Sequence, residues 1–498
     1  MVTQSRNRLL NHPKVRITKT EEKTRARIAP TGSRDTARRS APSAATAITP
    51  STWFGRSLPY FQIHTRFVVA MICGVLWATL STWLALPWFA DLGELITLPL
   101  AIAVIAGIAI LPGYLTAFLI TSLLLDRPRA IKAMPPGANR QRWPGVTLLI
   151  AAFDEETRIG ETIEYALASD YPGKLHVIVA DDGSNDETAA IVAKMALSNN
   201  GSGKTVELLR TEHTGKAGTL NAALAKVRTD LLATIDADTL LGRQSLKRAT
   251  ARLISSIDGT EAVAGAVMAR NSRTNFLTRL QEWDYQLGIA SIKRSQAIWQ
   301  STLVSQGSFS VYRTKAVKAA GGWPDSIGED IVLTWALLAD GATIGFEPTA
   351  LAFTEVPSRF GRLARQRSRW ARGMIEGLKA YGFRILRQRR MASHGIAINL
   401  LFPWMDLCYT FAFLPGIVLA CTGNFAIVGP LTLAVLPLNL LLSGLMLRMQ
   451  HNVFDEVHLS IRTNPTGFLS YLFLYQPLMS PLAVIGYVQE VFRRPRTW

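Results

Sequence analysis

The stretch 328–370 contains residue types that could carry out chemistry on a phosphorylated compound. Glu329 and Asp330 follow a glycine at its start, and the run 366–370 at its end holds a glutamine, two arginines and a tryptophan. A carboxylate can take a proton, a guanidinium can hold phosphate, and an indole offers a flat apolar face with one N–H donor. These types together predict proton transfer beside a bound phosphate. Capping of a helix N-terminus is the alternative explanation for one of the two acids.

Acidic residues also follow three of the predicted strands. Asp154 and Glu155 come after the first strand, Asp182 after the second, and Asp236 and Asp238 after the fourth. Carboxylates crowded at one edge of a sheet repel one another unless a cation or hydrogen-bond donors hold them, and hard oxygen ligands suit Mg²⁺ or Mn²⁺. Asp236 and Asp238 would face the same side of an extended strand. The sequence predicts a divalent metal site here; an ordinary acidic surface loop is the alternative.

Strands that alternate with amphipathic helices are predicted to position these acids. Over residues 145–270, apolar runs at 146–153, 175–181, 206–210 and 231–235 alternate with helical stretches. This alternation predicts an α/β fold with a mostly parallel sheet and helices on both faces. Ligands of such sheets bind at the carboxyl ends of the strands, where the acids lie.

Residues 304–313 form a further alternating, strand-like run. Gly307 and Ser308 within it are small enough to let a ligand approach closely, and a plain edge strand is the equal alternative. The run Gly201–Thr205 looks like a phosphate-binding loop, but it has Ser198 where that pattern requires glycine, and it precedes a strand. It is interpreted as a flexible turn.

Long uncharged runs flank the predicted sheet. Residues 67–90 and 95–125 contain no charged side chain, and about 20 apolar residues are enough for a membrane-spanning helix. They predict a helical hairpin. Basic flanks on both sides of it would keep residues 127–390 in the cytoplasm.

Apolar runs return after residue 390, at 396–421, 425–447 and 466–489. Three crossings would put the basic C-terminal tail outside, against the positive-inside rule. Pro477 and Pro481 leave open a broken, re-entrant last segment. Asp406 is predicted either to meet water at the membrane interface or to line a polar path through the membrane.

Basic charge is concentrated in two regions. The formal net charge is +18, and residues 1–56 carry twelve Lys/Arg against three Asp/Glu. This segment has few large apolar residues, which predicts a disordered, membrane-proximal tail rather than a nucleic-acid-binding arm. Residues 358–390 interleave arginines with apolar side chains, a pattern typical of helices in the membrane interface.

The three cysteines lie in apolar runs and have no metal or disulfide spacing.

The chain resembles the processive family 2 glycosyltransferases of the GT-A type in one ordered set of residues between membrane helices: Asp182, Asp236-x-Asp238, Asp330 and Gln366-x-x-Arg369-Trp370. That group includes cellulose, chitin, hyaluronan and poly-N-acetylglucosamine synthases. Two helices before the domain, three apolar segments after it and no added regulatory domain are most similar to bacterial poly-β-1,6-N-acetylglucosamine synthases. Two departures leave the sugar open: Gly328 stands where those enzymes tend to have threonine, and the basic tail is long.

The resemblance implies an inverting, processive β-glycosyltransferase in the inner (plasma) membrane with a cytoplasmic catalytic domain. It would polymerise a UDP-sugar, with UDP-GlcNAc as first choice, with Mg²⁺ or Mn²⁺ as cofactor, and pass the growing polysaccharide across the bilayer. A cellulose-like glucan, a hyaluronan or chitin product and transfer of one sugar to a lipid acceptor stay open, as does a small membrane partner subunit. A transporter or scaffold that merely binds nucleotide is the alternative from another class.

The resemblance also implies roles and domain bounds. Asp330 would be the catalytic base. Donor-binding residues would be Asp154, Glu155, Asp182, Asp236, Asp238, Gln366 and Arg369, with Asp236 and Asp238 also at the metal. Acceptor-binding residues would be Ser305, Gln306, Gly307, Ser308, Glu329 and Trp370. The expected domains are a disordered tail (1–60), two transmembrane helices (66–126), the GT-A domain (140–355), interfacial amphipathic helices (356–393) and two to three transmembrane or re-entrant segments (394–490).

Overall fold

A mixed sheet of eight strands is the centre of the domain that follows the first apolar helices. The structure, a computed structural model, describes residues 62–126, 143–198, 203–299, 301–429 and 435–495, and the predicted tail over 1–60 lies outside them. The strands lie in the order β3-β2-β1-β4-β7-β6-β8-β5. Their bounds are β1 Val146–Ala152, β2 Leu175–Asp181, β3 Lys204–Arg210, β4 Leu231–Asp236, β5 Leu240–Leu241, β6 Thr260–Ala269, β7 Ser310–Arg313 and β8 Thr343–Thr354.

Strands β1 to β4 form the parallel half of the sheet. The Val-, Ile- and Leu-rich runs of β1, β2 and β4 are buried on both faces, as expected for strands covered by helices. Ala152 of β1 pairs with Asp181, and Ala151 pairs with Asp236. The carboxyl ends of these strands therefore meet at one edge, and the predicted α/β, mostly parallel fold class is confirmed.

The other half of the sheet contains antiparallel pairs. β7 runs antiparallel to β4 and β6, whereas β8 is parallel to β6 and antiparallel to β5. The predicted strand over 304–313 is wrong in its first part, because only Ser310–Arg313 forms a strand. Residues 304–309 are a loop. The carbonyl oxygen of Val304 and the N–H groups of Ser305 and Gly307 bond to side chains of neighbouring helices, whereas Phe309 accepts a hydrogen bond from Gly265 of β6.

Helices cover both faces of the sheet. Leu148 and Ile150 of β1 belong to one apolar core, and Leu149 between them belongs to the other, as the alternation of a strand requires. The buried indole of Trp335 lies in the second core. The helices of this domain are Ile159–Leu167, Thr188–Ser198, Gly215–Lys226, Ser245–Ser255, Phe276–Trp283, Ile292–Ile298, Thr314–Ala319 and Glu329–Ala339.

Four helices in the described ranges are long and apolar enough to cross a membrane: Ile63–Leu84, Leu98–Leu124, Met391–Cys421 and Pro465–Val491. A further helix, Val435–Glu456, lies between the last two in the chain. Pro477 and Pro481 lie inside the last helix, which continues through both of them. The domain bounds expected from the sequence stay predictions, because helix length and composition alone do not locate a membrane.

The helix Phe360–Gly377 joins the sheet domain to the apolar helices. On one side Gly486 of the last helix packs so closely that a Cβ there would lie 2.3 Å from the carbonyl oxygen of Ser368. On the other side a Cβ at Gly328 would lie 2.5 Å from the Cα of Gly373. A side chain at Gly328 therefore has no room, which explains why threonine is absent at this position.

Candidate active site

Asp330 lies in the first turn of the helix Glu329–Ala339. Its Oδ2 accepts a hydrogen bond of 3.1 Å from the backbone N–H of Gly307, and its Oδ1 accepts one of 2.8 Å from that of Ile331. Two backbone donors at the N-terminus of this helix therefore hold the carboxylate in place. Each carboxylate oxygen has a second lone pair, so the group can also receive a proton from a bound hydroxyl.

Lys216 joins the acidic end of β4 to the start of that helix. Its Nζ lies 2.7 Å from Oδ1 of Asp236 and 3.1 Å from Oε1 of Glu329. Burial alone would lower the pKa of Lys216, but the charges of these two carboxylates outweigh it and hold the pKa well above its usual value. The sequence pattern did not single out Lys216. The available signal was its place at the start of the helix Gly215–Lys226, which follows β3, a fourth strand that ends at the same edge.

Asp236 and Asp238 have different electrostatic partners. The pKa of Asp236 is lowered. Burial alone would raise it, but the charge of Lys216 and, to a smaller extent, that of Arg369 outweigh burial. Burial raises the pKa of Asp238, and the charge of Asp236 raises it further. The hydroxyls of Thr354 and Thr239 donate to Oδ1 of Asp238 at 3.0 and 3.2 Å. Across the ranges the structure covers, Asp238 has no Lys or Arg within ion-pair distance.

The donors at this edge fit a divalent metal that is shared with a ligand. Among the described residues, no group of three or more His, Cys, Asp and Glu side chains is arranged to hold an ion. Two carboxylates are what Mg²⁺ commonly takes from a protein, and waters and substrate phosphates complete its shell. Asp238 fits the role of a metal ligand, because the donors that bind it are the neutral hydroxyls of threonines. Asp236 is already in an ion pair with Lys216.

Asp182 and Asp154 lie at the same edge and hold loops. The oxygens of Asp182 accept hydrogen bonds of 2.8 and 3.0 Å from the backbone N–H groups of Thr214 and Gly215. Asp182 thereby fixes the turn that presents Lys216. Asp154 has a left-handed backbone conformation, with φ at 52°, in which the chain leaves β1 sharply.

Glu155 belongs electrostatically to the acidic cluster. Burial raises its pKa, the charge of Asp238 raises it further, and Arg158 opposes both. Arg158 also binds Glu355, with 2.8 Å between Nη2 and Oε2. Several carboxylates therefore face one another here with few cations between them, which favours a positively charged occupant.

The loop 304–309 passes directly over Lys216. A Cβ at Gly307 would lie 2.9 Å from Nζ of Lys216 and 3.6 Å from Oδ1 of Asp236. The small residue predicted to admit a ligand thus makes room for an ammonium group of the protein itself. The Ser308 hydroxyl bonds to Asp236 and helps to lower its pKa. Ser305, in contrast, is fully buried, and its N–H donates to the hydroxyl of Thr334.

The helix Phe360–Gly377 carries the predicted Gln366, Arg369 and Trp370. Trp370 is 38% exposed, and the guanidinium of Arg367 lies 4.2 Å from its ring centroid. Arg367, which the sequence pattern did not single out, is held by a 2.6 Å ion pair with the buried Asp284. Its neighbour Gln366 has a buried Oε1 without a hydrogen-bond partner in the described part of the chain.

The structure thus connects most of the predicted residues through contacts at one edge. Asp330, Glu329, Asp236 and Ser308 lie around Lys216 or the loop above it. Arg369 acts on the same cluster through its charge, and Asp238 adjoins Asp236. The arrangement places a carboxylate and a lysine close together, and the helix Phe360–Gly377 adds an exposed indole. The individual roles stay predictions.

Comparison with known proteins identifies relatives of this domain. Residues 144–373 match the family described as "Glycosyltransferase like family 2". The poly-β-1,6-N-acetyl-D-glucosamine synthases of Staphylococcus aureus strain COL and of Staphylococcus epidermidis are 31% identical over 282 residues and 28% identical over 280 residues. Each alignment covers 55% of this chain and 66% of the relative, which is just under two thirds of the relative's length.

Solved structures with a similar chain path are more distant. The mannosyltransferase PcManGT from Pyrobaculum calidifontis, in complex with GDP-Man and Mn²⁺, is 17% identical with a TM-score of 0.49, covering 87% of this chain and all of that one. TarS 1–349 from S. aureus in complex with UDP is 14% identical with a TM-score of 0.38, covering 71% and 93%.

Proposed function

We propose that this chain, whose residues 144–373 match the family described as "Glycosyltransferase like family 2", is an inverting, processive β-glycosyltransferase that polymerises a UDP-sugar. The observation that carries the proposal is the position of Lys216. It bridges Asp236 at the strand end and Glu329, which directly precedes Asp330. A proton acceptor and a phosphate-binding cation therefore adjoin each other, as transfer from a sugar diphosphate needs.

Asp330 is the base in the proposed reaction. A sugar hydroxyl is a poor nucleophile, so its oxygen attacks the anomeric carbon as its proton passes to the carboxylate. The bond between that carbon and the diphosphate oxygen breaks, and the electron pair leaves with UDP. Attack from the face opposite the leaving group inverts the anomeric centre. An α-linked UDP-sugar therefore gives a β-linked product.

Lys216 and Arg369 stabilise the charge that develops on the leaving diphosphate. Both act on Asp236, so both reach the edge where the donor would lie. Fixed cations in a partly buried site cost no reorganisation when that charge appears. A Mg²⁺ or Mn²⁺ ion held by Asp238 and Asp236 would add a further positive charge to the diphosphate.

Trp370 is the proposed platform for the acceptor sugar. Its indole is partly exposed and backed by the guanidinium of Arg367, and aromatic faces bind the apolar face of sugar rings. The helix that carries it packs along Pro465–Val491, one of the four candidate membrane helices. The growing chain would pass from Trp370 into the apolar helices and across the membrane, with residues 140–355 on the cytoplasmic side.

The identity of the sugar is proposed from the relatives. Both are named poly-β-1,6-N-acetyl-D-glucosamine synthases, which favours UDP-GlcNAc as the donor here. A glucan synthase, a hyaluronan or chitin synthase and a transferase that adds one sugar to a lipid are the competing functions.

The test offers single UDP-sugars with Mg²⁺ or Mn²⁺ to membranes that contain the full chain, and measures UDP release and product length. UDP-GlcNAc alone is expected to give polymer, and the Asp330→Asn variant is expected to lose about 10²- to 10⁴-fold in rate, the usual contribution of a general base. Asp340→Asn, at the exposed other end of the same helix, is the matched control and should keep full activity. Products that stop at one added sugar would contradict processivity, and an unchanged rate in Asp330→Asn would contradict the mechanism.

A further inference from the structure

Lys293 is a buried lysine beside the loop 304–309 that the chemistry above does not use. It lies in the helix Ile292–Ile298 and is 8% exposed. Its Nζ donates a hydrogen bond of 2.9 Å to the carbonyl oxygen of Val304 and another to Oε1 of Gln306. No carboxylate of the described ranges lies within ion-pair distance of it. A buried ammonium without a counter-ion costs free energy, so stability alone does not account for this lysine.

The two bonds from Lys293 fix one side of the loop. Gln306, which accepts from Lys293, also donates through Nε2 to the carbonyl oxygen of Gly265 at 2.8 Å, so both ends of its amide are held. Between them, Ser305 donates its N–H to Thr334 at 2.8 Å. Three consecutive residues of the loop are therefore tied to elements around it.

The consequence appears at the next residue. Gly307 follows Gln306 and donates its N–H to Oδ2 of Asp330 at 3.1 Å. An N–H can point at a carboxylate only while the preceding peptide units keep their orientation, because each peptide is planar. Release of Val304 and Gln306 by Lys293 would free that orientation.

The helix of Lys293 is in turn fixed to the apolar helices. The adjacent Arg294 binds Asp126 at the end of the helix Leu98–Leu124, with 2.8 Å between Nε and Oδ2. Further along, the ring of Trp299 packs against Phe67 at 5.3 Å between centroids. The helix of Lys293 therefore contacts the apolar helices through Arg294 and Trp299, and contacts the loop through Lys293.

We propose that Lys293 is a positioning residue for the transfer reaction: its ammonium holds the loop 304–307 in the conformation that delivers the Gly307 N–H to Asp330. The inference rests on the proposed function, because Asp330 is the base only in that reaction. Two of the N–H donors of Lys293 bind Val304 and Gln306, so it acts through the loop.

The charge of Lys293 adds a dependence on pH. Burial lowers the pKa of Lys293 to about 7, and the negative charge of Asp330 opposes that decrease. Asp330 is the charged group that acts on Lys293 within the described ranges. Below its pKa the side chain is an ammonium with three strong donors; above it, it is an amine that holds carbonyl oxygens less firmly. Turnover is therefore expected to fall as pH rises through the pKa of Lys293.

The experiment compares Lys293→Met, Lys293→Arg and Lys204→Met in the full chain, with kcat, donor KM and UDP affinity measured across the neutral pH range. Lys204 is the matched control, because its ammonium also donates to two carbonyl oxygens, those of Leu167 and Ser169, on the far side of the domain. Lys293→Met is expected to lower kcat about 10²-fold, the size of effect that a misplaced catalytic group produces, with UDP affinity unchanged. Lys293→Arg should recover most of kcat and lose the alkaline decline, since a guanidinium does not titrate there.

Three results would overturn the inference: kcat of Lys293→Met equal to that of the wild type, loss of UDP affinity in Lys293→Met, and a pH profile of Lys293→Arg that follows the wild type. The second would show that the lysine merely maintains the folded site. Absence of UDP release by the wild-type chain would instead reject the proposed function.

Discussion

Lys216→Met is the substitution that tests the central electrostatic argument most directly. Methionine keeps the length and apolar stem of lysine but removes the charge that bridges Asp236 and Glu329. Asp236 and Glu329 would then face each other without the ammonium that binds both of them. The side chains of Lys216 and Asp236 are 31% and 29% exposed, and that of Glu329 is 7% exposed, so water screens part of the interaction.

The magnitude follows from that exposure. Removing one partner of a fully buried pair costs about 3–5 kcal/mol, and an exposed pair is worth about 0–1 kcal/mol. A bridge that is buried at one end falls between these limits, at about 2–3 kcal/mol. If the same charge also stabilises the leaving diphosphate, kcat should decrease by about 10²- to 10³-fold, as for the loss of one oxyanion donor.

The assay separates the two effects. UDP release measures kcat, and thermal unfolding of the purified chain measures stability. A second variant, Lys216→Met with Glu329→Gln, removes the unpaired buried carboxylate, so it is expected to regain stability without regaining kcat. Activity of Lys216→Met close to that of the wild type would refute the role of this cation in catalysis, and a double variant no more stable than the single one would refute the buried bridge.

Three further predictions concern the metal, a helix contact and a buried acid. Asp238→Asn is expected to raise the Mg²⁺ or Mn²⁺ concentration needed for UDP release, and an unchanged metal titration would exclude Asp238 as a ligand. Gly328→Ala is expected to destabilise the domain by about 1–3 kcal/mol because its Cβ meets Gly373. Gly361→Ala is the control: its Cβ would have nothing within 4 Å, and it should stabilise the helix slightly because alanine has the higher helix propensity. Equal unfolding midpoints of the two variants would contradict the contact. Burial raises the pKa of Glu347, so the protein loses stability as pH rises through that pKa and the carboxyl ionises. Glu347→Gln should therefore raise the unfolding midpoint at neutral pH but not in acid. A higher midpoint only in acid would contradict the raised pKa.

The acidic edge could be predicted from the sequence because local rules determine it. The strands before Asp154, Asp182 and Asp236 are continuous apolar runs, and parallel strands end at one edge. The strand predicted over 304–309 failed for the opposite reason. The alternating pattern of this segment is a local feature of the sequence. In the fold, Lys293 of the helix Ile292–Ile298 binds the carbonyl oxygen of Val304, and this tertiary contact favours a loop.

Lys216 and Arg367 could not be assigned from the sequence because their partners are remote. Lys216 meets Glu329 only after the sheet has formed, and Arg367 meets Asp284 across two helices. Basic residues within motifs are common, and spacing along the chain does not reveal which of them is buried. In each case the missing information was a tertiary contact between opposite charges.

The contact between Gly328 and Gly373 has a consequence for how this protein can change through evolution. Backbone meets backbone there, so a side chain at either position needs a compensating shift at the other. The packing of the helix that carries Asp330 against the helix that carries Trp370 therefore depends on both glycines. We expect homologues to vary at these two positions together, with a larger residue at position 328 accompanied by a wider separation of the two helices.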